Sequence, residues 1–81
     1  CIAHSTNVER EIEGRELAAA INAFLKTLSA FDRNVFVCRY WYLDPVRDIA
    51  KAAHASESRI KSILFRLRKK LRVYLEEEGL L

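Results

Sequence analysis

Eighty-one residues bound one small domain, near the lower size limit for a self-sufficient hydrophobic core. With 51% hydrophobic residues, only two Gly and one Pro, the composition points to a globular, all-helical chain. No apolar run approaches the roughly 20 residues needed to cross a bilayer, and no signal-peptide pattern opens the chain, so no membrane partner is expected and a cytoplasmic location fits.

Cys1 and Cys38 form no metal-ligand spacing and do not read as a disulfide framework, so neither a metal nor a cofactor is expected. Cys38 sits among apolar neighbours and reads as a small buried hydrophobe. The chain opens on Cys1 rather than Met, which suggests a piece of a longer protein, with residues 1–7 a disordered or boundary segment and residues 8–78 the domain.

In chain order, Leu17, Ala20, Ile21, Phe24, Leu25 and Leu28 recur at helical spacing, predicting a first helix from about Val8 to Lys26. Its leading end is acidic, as the helix dipole favours. Ser29 followed by Asp32 resembles a capping box and starts a second helix through about Tyr42. Phe31, Val35, Cys38 and Tyr42 form one apolar stripe there, while Phe36, Val37, Tyr40 and Trp41 make the helix apolar nearly all round. Asp44–Pro45 predicts the start of a short third helix, with Asp capping free amides and Pro at the first helical position. Val46, Ile49, Ala50 and Ala53 give that helix its inward face. Ser56 caps a fourth helix from Glu57 to about Glu77, whose apolar face is Ile60, Ile63, Leu64, Leu67, Leu71, Tyr74 and Leu75, with Gly79 as the stop. Burial is expected at Leu17, Ile21, Leu25, Phe31, Val35, Ile49, Ala50, Ile60, Ile63, Leu64 and Leu67.

The fold class is therefore all-α, a four-helix domain with a helix-turn-helix over residues 45–75 that ends in a long basic recognition helix. Charge follows the same division. Residues 59–81 hold seven cations (Arg59, Lys61, Arg66, Arg68, Lys69, Lys70 and Arg72) against Glu76, Glu77 and Glu78, a surplus of four that exceeds the whole chain's +3. A cationic stripe beside a polyanion gains affinity by releasing condensed counterions. A basic run seen alone is more often a solvated helix face. Its place immediately after a helix-turn-helix favours DNA.

Three stretches carry a family likeness: FDRNVFVCRYWYL at 31–43, DIAKAAHASESRIKS at 48–62 and FRLRKKL at 65–71. Together they resemble region 4, the C-terminal promoter-binding domain of sigma-70 family transcription initiation factors, and the compact form resembles the extracytoplasmic-function-like members. The likeness spans roughly Leu17 to Leu75. It implies a bacterial, sequence-specific DNA-binding domain that recognises the −35 promoter element and docks on the β-flap of RNA polymerase core, with an anti-sigma protein a further candidate partner. By position, it implies base contacts from Glu57, Ser58, Arg59, Lys61 and Ser62 at the start of the recognition helix. Ser56 and Lys69 flank that set, Arg66 falls where a cation meets phosphate or an activator, and Arg39 and Arg47 lie near the backbone-contacting edge. The chemistry of these side chains agrees: Arg is bidentate to guanine, Glu accepts from cytosine, and Ser and Lys reach bases or phosphates. Glu57 also has a plainer, less favoured reading as a first-turn carboxylate suited to the helix dipole.

Two departures stand out. The turn position that the family often fills with Gly is His54, where a left-handed backbone costs a side chain on the order of 1 kcal/mol. The promoter-melting region that lies upstream in the family is outside this sequence, so this stretch alone is not expected to melt DNA.

An enzyme is not expected, because no Gly-rich phosphate loop, inward carboxylate pair or nucleophile–base arrangement is visible and His4 and His54 lack identifiable partners. Two other binding roles compete. A response-regulator output domain shares a four-helix build but places its recognition helix third. A protein–protein adaptor would use Phe24, Leu25, Phe36, Tyr40 and Trp41 as a partner face, although an aromatic stripe at helical spacing is more often core.

Overall fold

Helical periodicity and capping residues divide the chain into four helices: α1 (Ile2–Lys26), α2 (Ala30–Tyr40), α3 (Val46–Ala53) and α4 (Glu57–Glu77). The computed structural model describes residues 14–81 with their side chains, and residues 2–13 only as part of α1. Helix α1 begins at Ile2, ahead of the expected start near Val8 and within the segment expected to be disordered or a boundary; Cys1 lies outside the described residues.

The caps explain most of the boundaries. Ser29 Oγ accepts from the Asp32 amide at 3.2 Å and opens α2. Ser56 Oγ accepts from the Arg59 amide at 3.0 Å and opens α4 at the residue the sequence indicates. Helix α2 ends at Tyr40 rather than Tyr42, because the Trp41 and Tyr42 amides both turn back onto the Val37 carbonyl and Leu43 then takes a left-handed conformation (φ 58°).

Asp44 does not cap α3; the N-cap is Pro45, which has no side-chain bond and whose carbonyl accepts from the Asp48 and Ile49 amides. The reason lies in the turn. The Asp44 amide donates to the Cys38 carbonyl at 2.9 Å, and its own carbonyl accepts from Arg39 Nη1 at 3.1 Å. Asp44 therefore closes the end of α2.

Helices α3 and α4 share one kind of C-terminal closure. After α3, the Ala55 amide returns to the Ala50 carbonyl and the His54 amide to Lys51; after α4, the Leu80 amide returns to Leu75 and the Gly79 amide to Glu76. This is the Schellman pattern, and it needs a left-handed residue at its hinge. His54 (φ 54°) and Gly79 (φ 74°) supply it. His54 thus occupies the strained position anticipated from the sequence.

The core joins α2, α3 and α4 through Val35, Phe36, Ile49, Ala50, Ile60, Ile63, Leu64 and Leu67, with Leu25, Leu28, Cys38, Val46, Ala53, Ala55 and Leu71 packed half-buried around it. Ile60, Leu64 and Leu67 are fully enclosed, each contributing about 1.5–3 kcal/mol of transfer free energy. Helix α1 joins by its last turns, where the Phe24 ring meets Phe36 at 6.4 Å and Tyr74 at 5.7 Å.

Two expected core positions are surface ones: Leu17 is 41% exposed and Phe31 39%. Leu17 lies on the stretch of α1 that reaches beyond its packed last turns. Phe31 lies in the first turn of α2, at the rim of the core, and carries a cation on its ring. Ile21 and Leu25 are only half-buried.

Candidate nucleic-acid interface

The fourth helix has two opposite faces because 3.6 residues make a turn. Ile60, Ile63, Leu64 and Leu67 point into the core. Ser58, Ser62, Phe65 and Lys69, spaced three and four apart, lie opposite them and are exposed. Lys61, Arg68 and Arg72 flank that outward strip on one side, and Arg59, Arg66 and Lys70 on the other. Across its 21 residues the helix is roughly 30 Å long at about 1.5 Å per residue. A B-DNA major groove about 12 Å wide admits such a helix.

Side-chain contacts sort the expected DNA-binding residues into three groups. Glu57, Ser58, Lys61 and Ser62 are exposed in the first two turns of α4. Ser56 is also at the surface, but its hydroxyl serves the cap.

A second group is braced. The Arg59 guanidinium stands 5.5 Å from the centroid of the Phe31 ring, Arg66 Nη2 donates to Asp32 Oδ2 at 2.9 Å, and Lys69 Nζ sits 4.8 Å over the Phe65 ring.

The third group lies off α4. Arg47 is on the exposed first turn of α3 and pairs with its neighbour Asp48 at 3.6 Å. Arg39 is half-buried and holds the α2–α3 turn through the Asp44 carbonyl. Its structural duty is thus to the turn, which in turn sets where α3 begins.

One residue of the outward strip lay outside the expected set. Phe65, 55% exposed, stands in the centre of the strip between Ser62 and Lys69. Its position in the sequence carried the signal: it falls opposite Ile63, Leu64 and Leu67, where a solvated helix face would hold a polar residue. An apolar side chain at such a place suits a thymine methyl group.

The aromatic face divides as well. Phe24 (3% exposed) and Phe36 are core residues, the second forming part of a groove wall, so Phe24 is removed from the expected partner face. The groove runs between α1 and α2, has a volume of about 610 Å³, and is lined by Ile21, Leu25, Phe36, Val37, Tyr40 and Trp41 among others. At its end the α2–α3 turn presents Trp41 (80% exposed), Tyr42 and Leu43 to solvent. Tyr40 connects the two surfaces: its ring packs 4.8 Å from Phe36, and its hydroxyl accepts from Arg68 Nη1 of α4 at 2.7 Å.

A capped helix-turn-helix whose second helix presents hydroxyls, cations and one aromatic ring to solvent defines a DNA-binding domain. Residues 24–73 match the family model for sigma-70, region 4, well over half of the sequence, and the chain belongs to that family. No curated protein and no solved structure matches it. The family is one of DNA-binding domains in transcription factors that work with RNA polymerase. No described helix is long and apolar enough to cross a membrane.

Proposed function

We propose that this domain recognises the −35 element of a bacterial promoter with the first three turns of α4 while its α1–α2 groove docks on the β-flap of RNA polymerase. The observation that carries the reading is the outward strip of α4, Ser58, Ser62, Phe65 and Lys69, flanked by Arg59 and Lys61 and seated by a capped N-terminus on a fully buried opposite face. Arg59, Lys61, Glu57 and the two serines read base edges; Arg66, Lys69 and Arg47 neutralise phosphates. Base contacts then carry the discrimination and phosphate contacts the general affinity.

The groove supports the polymerase half of the reading. Trp41, Tyr42 and Leu43 form an exposed apolar turn beside Leu25 and Tyr40, and a large exposed apolar patch marks a protein-binding surface. An amphipathic flap helix suits such a groove, and an anti-sigma protein would compete for the same surface. The Tyr40–Arg68 bond joins the two working surfaces. All of this takes place in the cytoplasm, where promoter and polymerase meet.

Binding of the chain to fluorescent promoter duplexes, alone and with core polymerase, tests the reading. The log–log slope of affinity against salt should be about −0.9 per phosphate contacted, and polymerase should tighten promoter binding by raising the local concentration of the domain. Salt-insensitive or absent binding in the presence of polymerase would sink the DNA half. Unchanged polymerase affinity in Trp41→Ala would sink the docking half.

A further inference from the structure

Two successive residues of the first turn of α2 hold two arginines of α4. Phe31 lies under the guanidinium of Arg59, and Asp32 accepts from Arg66. Arg59 and Arg66 are one heptad apart, hence on the same flank of the recognition helix. The turn that holds them is itself fixed, since the Asp32 amide donates to the Ser29 cap. The arrangement therefore runs from a helix cap, through two side chains, to the edge of the DNA-facing strip.

The exposures of the ion pair decide its geometry. The Asp32 side chain is 17% exposed and that of Arg66 46%, so the carboxylate sits behind and the guanidinium in front. Asp32 occupies a single Nη2 bond of a group that has five N–H donors. The remaining donors are not taken up by Asp32, and the side chain that carries them is nearly half exposed. An arginine with no partner must give up rotamer freedom when it meets a phosphate, whereas a planar fork already fixed loses less per bond.

Resting on the DNA reading above, we propose that Asp32 is a positioning residue: it buttresses Arg66 from behind and fixes its guanidinium toward a phosphate at the edge of the groove. Phe31 seats Arg59 on the same flank, so the first turn of α2 sets the register of both cations. A carboxylate thereby strengthens binding to a polyanion, which its charge alone would weaken.

The experiment uses the chain assembled with core polymerase on a promoter duplex, together with ¹⁵N spectra of arginine guanidinium groups in the chain without DNA. Asp32→Ala should weaken promoter binding about fivefold, within the coupling range of contacting residues, and should turn the ordered Arg66 side-chain signal into a motionally averaged one. Asp32→Asn, which keeps a side-chain oxygen to accept from Arg66 but not the charge, should give a partial loss. In an Arg66→Ala background, Asp32→Ala should change binding by less than about twofold. Tighter binding in Asp32→Ala would mean that the carboxylate screens Arg66, and would overturn the proposal. An equal loss in both backgrounds would reduce Asp32 to a folding role and overturn it as well. Normal salt-sensitive wild-type binding that Asp32→Ala leaves untouched defeats this role alone, whereas a wild type with no salt-sensitive binding defeats the DNA reading along with it.

Discussion

The α3–α4 half of the domain and the α1–α2 face are both rich in apolar side chains at helical spacing, yet they use them in opposite ways. In α4 every residue of the apolar stripe from Ile60 to Leu67 is buried, and the charged face is left to solvent. On the α1–α2 side, Tyr40, Trp41 and Tyr42 remain exposed along a groove, and Leu17 and Leu43 are exposed as well. The difference teaches that periodicity identifies an apolar face but not what covers it. α3 is short and rich in alanine, so α4 can lie close against it and bury its stripe completely. α1 touches the rest of the domain through its last turns, and among the described residues Trp41, Tyr42 and Leu43 of the aromatic turn stay exposed.

Substitutions should expose that contrast, the largest effect first. Leu64→Ala removes a fully enclosed side chain and should cost about 2–5 kcal/mol by leaving a cavity. Leu17→Ala should cost well under about 1 kcal/mol, as surface positions do. Denaturant titration of both variants separates them, and equal losses would mean that the two halves pack alike.

The working surfaces should separate next. Lys61→Ala should reduce discrimination between base pairs by roughly 1–3 kcal/mol at one position of the site, measured across a panel of promoter duplexes. Trp41→Ala should leave that discrimination unchanged and weaken the polymerase complex instead. If Trp41→Ala altered base preference in the absence of polymerase, the two faces would not be independent.

A smaller effect compares the two Schellman closures. His54→Gly should be neutral or stabilising by up to about 1 kcal/mol, because glycine takes a left-handed backbone without a Cβ penalty. Gly79→Ala should be destabilising by a similar amount, although open space surrounds the added carbon. Thermal melts read both signs, and a His54→Gly variant that melts earlier would reveal a contact made by the imidazole. The smallest effect belongs to the exposed Arg72–Glu76 pair at 3.1 Å; Glu76→Ala should move stability by no more than about 0.5 kcal/mol.

The helix-turn-helix was legible because each of its boundaries rests on local chemistry. Ser29, Ser56, His54 and Gly79 announce their roles through caps and turns that depend on a few neighbouring residues. Asp44 was misleading: its main chain bonds Cys38 and Arg39 at the end of the preceding helix, and Pro45 takes the N-cap position with no side-chain bond. Phe31 and Leu17 matched the apolar period, but burial depends on partners distant in sequence. The candidate site was legible as a set of residue types on one helix. The pairing of Asp32 with Arg66, 34 positions away, was not, since no spacing rule links residues on different helices.

The ring of Phe24 is sealed by Tyr74, fifty residues further along the chain. During synthesis the Phe24 ring therefore gains Phe36 of α2 early but is left open on the side that Tyr74 closes. It stays so until nearly all of the recognition helix has been made. The domain closes last where it began, and a nascent chain stalled at Leu71 should still offer α1 to a hydrophobic chaperone or a protease. One extended past Tyr74 and clear of the exit tunnel should not, a difference that limited proteolysis of arrested chains can measure.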